Sequence, residues 1–295
     1  MSNKYSGKTA LISGGADGIG FALARKFGRL GMNIVLADIE PQTLDQAQKT
    51  LTDEGMKVIA CLLDVTDFTQ WQATVEAAKE RFGGVHMLIN NAGVGGIPGT
   101  IENTSHDVWR WVMDVNVMGV LYGAEVVTPL LKEQGEGGWI INVASMAGMI
   151  GMPYAGAYSA SKAAVVSMTE SWSAELKSHN IHVSALCPAF VKTRIHESHR
   201  NRQSQYKTVK ESTDSKENLK AGFNKAAALV EGGIEASMLA DRVVEALESG
   251  HTYIYTHPNY RPVTQSRAKA IDIAYQSAED SPIVGHLKDD EIAAF

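Results

Sequence analysis

The sequence predicts an α/β fold in which one parallel sheet is covered by helices on both faces. Short, continuously apolar runs alternate with segments of helical periodicity along most of the 295 residues. Apolar runs of this kind are typical of strands that are buried on both faces. Alternation of strand and helix favours a doubly wound sheet with right-handed crossovers. No internal repeat interrupts the pattern, and residues 1–295 are therefore predicted to form one domain.

Composition and charge narrow the possible functions. Hydrophobic residues make up 44% of the chain and charged residues 20%, which is ordinary for a globular protein. The formal net charge of −6 gives no support to a nucleic-acid partner. The N-terminus lacks the apolar stretch of a signal peptide, and no run of 18 apolar residues occurs. We therefore expect no membrane segment and a cytoplasmic location.

Two cysteines, Cys61 and Cys187, lie outside any CxxC or metal-spaced cluster. We expect two buried thiols in strands, with no disulfide framework and no zinc site. His196 and His199 stand three residues apart, but the sequence offers no third ligand, and no metal is predicted.

Seven apolar runs predict about seven strands. They are Thr9–Ser13, Asn33–Asp38, Lys57–Leu63, Met87–Asn90, Trp139–Val143, His182–Cys187 and Thr252–Tyr255. Between them, Ile19–Leu30 has apolar residues at helical spacing and Gly31 at the C-cap position. Pro41–Glu54 begins with a proline in the first helical turn. Further helices are predicted at Asp107–Lys132, at Tyr158–Ser178 and at Gln265–Ser277 within a C-terminal extension of residues 257–295.

The first strand runs into the glycine-rich segment Ser13–Gly20 (SGGADGIG), which opens a helix. Glycines let the backbone turn tightly and approach a pyrophosphate, and the helix N-terminus offers free N–H groups. This strand-loop-helix context predicts a dinucleotide site of the Rossmann type, although a glycine-rich turn without a ligand is the alternative. The expected contacts are Gly14, Asp17, Gly18, Ile19 and Gly20.

Asp38 ends the second predicted strand and is followed by Ile39 rather than by Arg or Lys. A carboxylate at this place can accept hydrogen bonds from the adenosine ribose and would repel a 2′-phosphate. The residues therefore favour NAD over NADP as cofactor. The alternative is that Asp38 caps the helix that starts at Pro41.

Tyr158 and Lys162 are four residues apart and share one face of a predicted helix. A free phenol has a pKa of about 10 and is a poor base at neutral pH. A nearby lysine ammonium and the positive nicotinamide ring of NAD⁺ would stabilise the phenolate and lower the pKa of Tyr158. The pair therefore predicts proton transfer to or from an alcohol or ketone oxygen. A pair of side chains on a helix surface is the alternative.

Taken together, these residues resemble the short-chain dehydrogenase/reductase family. The matching elements occur in the family's order and are Ser13–Gly20, Asp64–Val65, Asn90–Gly93, Asn116, Ser145, Tyr158–Lys162, Pro188 and Thr193. They cover about two thirds of the chain. The resemblance implies a Rossmann fold and an NAD-dependent alcohol dehydrogenase or ketoreductase that acts on CH–OH groups. It also implies a homodimer or homotetramer.

Individual roles follow from the same resemblance. Ser145, near the end of the fifth strand, would hold the substrate oxygen. Asn116 would help to hold a water linked to Lys162. Further cofactor contacts are implied at Ile39, Asp64, Val65, Asn91, Ala92, Gly93, Tyr158, Lys162, Pro188, Val191 and Thr193.

The residues that would contact the substrate are less clearly marked in the sequence than the cofactor residues are. Met146, Met152 and Tyr154 lie between Ser145 and Tyr158 and are predicted to form an apolar wall for a hydrophobic, including an aromatic, substrate. Ordinary packing is the alternative for each. Lys192–Lys220 carries eight Lys/Arg against four Asp/Glu. We expect this stretch, within residues 189–237, to form a substrate lid, with a solvated loop as the alternative.

The C-terminal ending resembles the Cα-dehydrogenases of lignin-derived aryl ethers more than it resembles acyl-carrier-protein reductases. The predicted partner is a small-molecule alcohol or ketone. Other hypotheses are a sugar-, steroid- or 3-oxoacyl-directed reductase and a non-catalytic NAD-binding regulator. The regulator would be expected to lack Ser145, Tyr158 or Lys162, and this chain has all three.

Overall fold

Seven parallel strands form one sheet in the computed structural model, which describes residues 4–207 and 227–289. Their order is β3-β2-β1-β4-β5-β6-β7, with every neighbouring pair parallel. The strands are β1 (Thr9–Ser13), β2 (Asn33–Asp38), β3 (Val58–Leu62), β4 (Met87–Asn90), β5 (Gly138–Val143), β6 (Ile181–Cys187) and β7 (Tyr253–Tyr255). The predicted doubly wound sheet is confirmed.

Eight helices lie between successive strands of the described chain, and a ninth follows β7. They are α1 (Gly18–Arg29), α2 (Pro41–Asp53), α3 (Phe68–Phe82), α4 (His106–Met113), α5 (Gly119–Gln134), α6 (Met146–Met149), α7 (Gly156–Leu176), α8 (Ala236–Glu248) and α9 (Arg261–Glu279). Several begin at residues whose side chains satisfy the first backbone N–H groups. Asp67 accepts from Thr69 and Gln70 at the start of α3.

Both faces of the sheet are buried, as alternate residues of β1 show. Ile12 belongs to an apolar cluster that contains Leu23 and Phe27. Its neighbour Leu11 belongs to the opposite cluster with Trp71. Burial of each such side chain contributes about 1.5–3 kcal/mol to folding, so the two layers together hold the sheet in a defined position.

Strand β3 departs from the prediction of strands buried on both faces. It lies at the edge of the sheet, where β2 is its one neighbour among the described strands. Leu62 is therefore 61% exposed, and Cys61 is half-buried. The prediction of a buried thiol is right for Cys187 and wrong for Cys61, because an edge position could not be read from the apolar run. Both cysteines are free.

The predicted helix Asp107–Lys132 is not one regular helix. A π-helical turn, Asp114–Met118, separates α4 from α5. Such a turn widens the helix and is frequent at functional sites. Asn116 lies at its centre and is fully buried. Its amide bonds the backbone of Val94, a tertiary contact that apolar periodicity alone does not reveal.

The chain divides into two compact units, Met1–Thr256 and His257–Phe295. In the second unit α9 extends beyond the predicted Gln265–Ser277 at both ends, and none of its residues is buried. None of the helices described here is both long and apolar enough to cross a membrane.

Candidate active site

A cleft lies at the carboxyl ends of the strands, where β1 and β4 diverge into opposite crossovers. Ligands of open α/β sheets bind at this switch point. Most of the sequence-predicted cofactor residues line it. They are Gly14, Asp17, Gly18, Ile19, Asp38, Ile39, Asp64, Val65, Asn91, Ala92, Gly93, Tyr158, Lys162, Pro188 and Thr193. Gly20 and Val191 are not among its lining residues.

The glycine loop has a shape that side chains would destroy. Gly14 has φ +61°, and a Cβ there would lie 2.9 Å from the Cα of Ala92. A Cβ on Gly20 would lie 2.1 Å from the carbonyl oxygen of Gly14, so this glycine serves the packing of the turn. Asn91 donates through its side-chain nitrogen to the carbonyl oxygens of Ser13 and Gly14, at 2.9 and 2.8 Å. The loop therefore offers bare backbone to a ligand, as a pyrophosphate site requires.

Asp38 is held in place at the cleft by two backbone groups. One carboxylate oxygen accepts from the N–H of Ala16 and the other from the N–H of Glu40, each at 3.1 Å. Burial raises the pKa of this carboxyl. The N-cap residue of α2 is Glu40, so the helix-capping alternative for Asp38 is wrong. Each oxygen retains acceptor capacity toward the cleft.

Asp64 follows β3 and lines the same cleft. Its carboxylate accepts from the backbone N–H and the hydroxyl of Thr66, at 3.0 and 2.8 Å. The side-chain amide nitrogen of Gln203 lies 3.0 and 2.9 Å from the two carboxylate oxygens. Sequence reasoning did not predict Gln203 at this site.

Tyr158 lies in the first turn of α7 and faces Ser145. Desolvation raises the pKa of Tyr158, and the hydrogen bond with the Ser145 side chain offsets part of that rise. The Lys162 Nζ is 5.8 Å from the centre of the phenol ring. The predicted lowering of the phenol pKa is therefore not produced by the protein side chains alone. Burial outweighs the hydrogen bond with Ser145, and the Lys162 ammonium donates to the carbonyl oxygen of Val143.

Lys162 is 3% exposed, and its Nζ donates to the carbonyl oxygen of Val143 at 2.7 Å. Burial lowers the pKa of this ammonium to about 8. The lysine is thus a charge held in a site with little water, one helical turn from Tyr158. A cation in such a place interacts strongly with any charge that develops nearby.

Asn116 uses its whole side-chain amide for structure. It accepts from Val94 N–H at 2.8 Å and donates to the Val94 carbonyl and the Ser161 hydroxyl, each at 3.0 Å. A Cβ on Gly93 would lie 3.3 Å from both Asn116 Oδ1 and Lys162 Nζ. Glycine at position 93 therefore lets these two groups approach one another beneath the cleft.

The predicted substrate wall is only partly brought to the site. Ser145 is buried beside Tyr158, and its hydroxyl also accepts from the N–H of Ala147 at 3.1 Å. Met146 is buried and is not among the residues that line the cleft. Met152 and Tyr154 are 40% and 66% exposed on the loop before α7. Apolar lining comes from Val94 and from three residues that the sequence did not single out, namely Trp111, Val115 and Ile195.

Residues 194–207, the described first part of the predicted lid, also line this cleft. They carry polar groups into it at Arg200, Asn201 and Gln203. In sequence this stretch has the composition of a solvated surface, so no local signal marks these contacts. Residues 208–220 of the lid prediction lie outside the described residues. Among the described residues no group of three or more His, Cys, Asp or Glu could hold a metal ion.

Comparisons with known proteins agree with this geometry. The family model for short chain dehydrogenases matches residues 8–204. The chain belongs to the short-chain dehydrogenase/reductase family. It is therefore an oxidoreductase of that family, as the sequence motifs predicted.

Individual relatives cover nearly the whole chain. A CLA biosynthesis dehydrogenase/reductase of Lactiplantibacillus plantarum is 34% identical over 90% of this chain and 94% of its own. A C alpha-dehydrogenase of Sphingobium is 31% identical over 94% of this chain and 90% of its own, which confirms the resemblance to that group. A short-chain dehydrogenase/reductase from Burkholderia phymatum, solved in complex with NAD, is 38% identical with a TM-score of 0.88. That match covers 92% of this chain and 96% of the other.

Proposed function

We propose that this short-chain dehydrogenase/reductase interconverts a secondary alcohol and a ketone with NAD(H), using Tyr158 as the acid/base. One observation carries the proposal. The Tyr158 hydroxyl is hydrogen-bonded to Ser145, one helical turn from the buried Lys162, beside a cleft that begins at a bare glycine loop. A nucleotide-binding regulator would need none of these three side chains in this arrangement.

NAD fits the residues present. The glycine loop can take the pyrophosphate, and the Asp38 carboxylate can accept hydrogen bonds from ribose hydroxyls. The NAD complex of the Burkholderia relative supports the same cofactor. When bound, NAD supplies the hydride acceptor for alcohol oxidation, and NADH supplies the donor for ketone reduction.

The side chains of this protein transfer the proton and stabilise the charge that its transfer leaves on Tyr158. Ser145 donates its hydroxyl to the substrate oxygen and fixes that oxygen against Tyr158. In oxidation the Tyr158 phenolate takes the alcohol proton, and in reduction the phenol returns it. Lys162, which donates to the Val143 carbonyl, stabilises the negative charge on the phenolate. This interaction is effective without direct contact because little water is present in the site to screen it. Asn116 supports this pair through its hydrogen bonds with Val94 and Ser161.

A hydrophobic substrate, including an aromatic one, is the class we propose. Apolar lining residues such as Val94 and Trp111 support this, as does the likeness to a C alpha-dehydrogenase. A screen of purified protein with NAD⁺ and secondary alcohols, following NADH absorbance, tests it. Benzylic alcohols should give a kcat/KM at least tenfold above that of sugar alcohols, 3-hydroxyacyl thioesters and hydroxysteroids. Preference for one of those three classes would overturn the substrate proposal, and no turnover with any would overturn the activity.

Asp38 should determine the preference for NAD over NADP. In Asp38→Asn the side chain keeps its size, while the charge that repels a 2′-phosphate is lost. We expect the ratio of kcat/KM with NADP⁺ to that with NAD⁺ to rise about 10- to 100-fold, equivalent to ~1.4–2.8 kcal/mol. Steady-state kinetics with both cofactors measures this. Asp45→Asn, an exposed position on α2, is the matched control, and an equal change in both variants would contradict the role of Asp38.

A further inference from the structure

The segment 194–207, here called the clasp, crosses the cleft on the side of β2 and β3. It contains two short 3-10 turns, Ile195–Asn201 and Ser204–Tyr206. Arg200 forms an ion pair with Glu40 at 2.7 Å, and Asn201 donates to the same carboxylate at 2.7 Å. At its other end the Tyr206 hydroxyl donates to Asp114 at 2.7 Å. The clasp is thus attached on both sides of Gln203.

Between these attachments Gln203 reaches Asp64. Its amide nitrogen donates to both carboxylate oxygens, at 3.0 and 2.9 Å. The amide oxygen of the same side chain is buried, and it has no hydrogen-bond partner among the described residues. A buried amide that satisfies its nitrogen and not its oxygen is held at a cost. Displacement of this side chain by another donor would therefore relieve an unfavourable burial.

The direction of a bound dinucleotide follows from the sheet order and rests on the proposed function. The glycine loop after β1 takes the pyrophosphate, and Tyr158 and Lys162 mark the reactive end on the β5 side. The other half of the dinucleotide then extends toward β2 and β3, where Asp38 and Asp64 line the cleft. An ionised carboxylate is an acceptor only, so Asp64 suits the exocyclic amino group of adenine. The Gln203 amide nitrogen is a donor of the same kind.

We propose that Gln203 is an internal competitor that occupies Asp64 in place of the amino group of the coenzyme's base. The flanking ion pair Arg200–Glu40 and the bond Tyr206–Asp114 keep the amide at a high effective concentration beside the carboxylate. Dinucleotide binds after this amide has moved away, and the measured affinity is reduced by the fraction of molecules in which Asp64 is covered. The clasp thereby tunes coenzyme exchange from a segment that sequence reasoning assigned to the substrate.

Gln203→Ala tests the competition directly. We expect the Kd for NADH, measured by fluorescence titration of the full chain, to fall about three- to tenfold. The association rate should rise while the dissociation rate stays the same, because only the closed form of the free protein is lost. Gln72→Ala, which changes an exposed residue of the same type on α3, should leave both rates unchanged. An unchanged or weaker affinity in Gln203→Ala would overturn the proposal.

A dinucleotide in which hypoxanthine replaces adenine separates base mimicry from simple obstruction. It presents a carbonyl where adenine has the amino group and cannot donate to Asp64 at that place. The gain in affinity from Gln203→Ala should therefore be smaller for this analogue than for NADH, and equal gains would refute the mimicry. Wild-type binding and turnover are measured alongside. If the wild-type protein binds NADH and Gln203→Ala binds it equally well, this inference alone is refuted. If the wild-type protein does not bind NADH, the proposed function is refuted as well.

Discussion

Tyr158→Phe should lower kcat for alcohol oxidation about a thousandfold, because the substitution removes the hydroxyl that accepts and returns the proton. The ring remains, so the packing of α7 should be kept and the Kd for NADH should change less than about twofold. Steady-state kinetics combined with a binding titration distinguishes these effects. Near-normal turnover would show that another group carries the proton and would refute the mechanism.

A matched control removes a different phenol hydroxyl. Tyr5 is buried, and its hydroxyl has no hydrogen-bond partner among the residues that the structure describes. Tyr5→Phe should therefore keep full activity. Oxidation by the wild-type protein should rise with pH toward the pKa of Tyr158 in the complex, since the base form is required. The rate of reduction should fall over the same pH interval. This pH-dependent change should be absent from both the oxidation and the reduction profile of Tyr158→Phe.

Lys162→Met should have opposite effects on activity and stability. Turnover should fall about 10²- to 10⁴-fold, because no cation then stabilises the phenolate. The free energy of unfolding at pH 7 should rise by about 2 kcal/mol. Burial lowers the pKa of Lys162 from 10.5 to about 8, a penalty of about 3 kcal/mol. Loss of the hydrogen bond to Val143 offsets about 1 kcal/mol of that gain.

The pH dependence of the free energy of unfolding tests whether the buried charge of Lys162 destabilises the fold. Between pH 8 and 10.5 the unfolded chain keeps a proton on Lys162 that the folded chain has released, so stability rises with pH in that window. Below pH 8 both states hold the proton, and the full penalty is present. Denaturant titrations of the wild type and Lys162→Met should therefore converge as pH rises from 8 to 10. Curves that stay parallel, or a variant less stable at pH 7, would contradict the assignment of the cost to the buried charge.

Strand positions were predictable because apolar runs report burial directly. Every strand end observed lies within one residue of its prediction, and the glycine segment was recognised from its place between β1 and α1. The reactive pair Tyr158 and Lys162 was predictable as well, since helical spacing alone places both on one face. Local patterns were sufficient where one element contained the whole signal.

Long-range features were not predictable in this way. The incomplete burial of Cys61 depended on which strand lies at the sheet edge, and the π turn around Asn116 depended on a contact with Val94. The wall residues Met146, Met152 and Tyr154 follow Ser145 closely in sequence, but none of them is among the residues that line the cleft, and Met152 and Tyr154 are exposed. Gln203 had no local signal, because its partner Asp64 is 139 residues away.

The sequence by itself determined the parallel sheet, the dinucleotide loop and the identity of the acid/base pair. Each of these depends on spacing within about ten residues, which the chain carries wherever it folds. The tertiary structure alone decided the pKa directions of Tyr158 and Lys162 and the contact between Gln203 and Asp64. Desolvation and the distances between charges depend on how distant segments pack, and that packing is not contained in any one stretch of sequence.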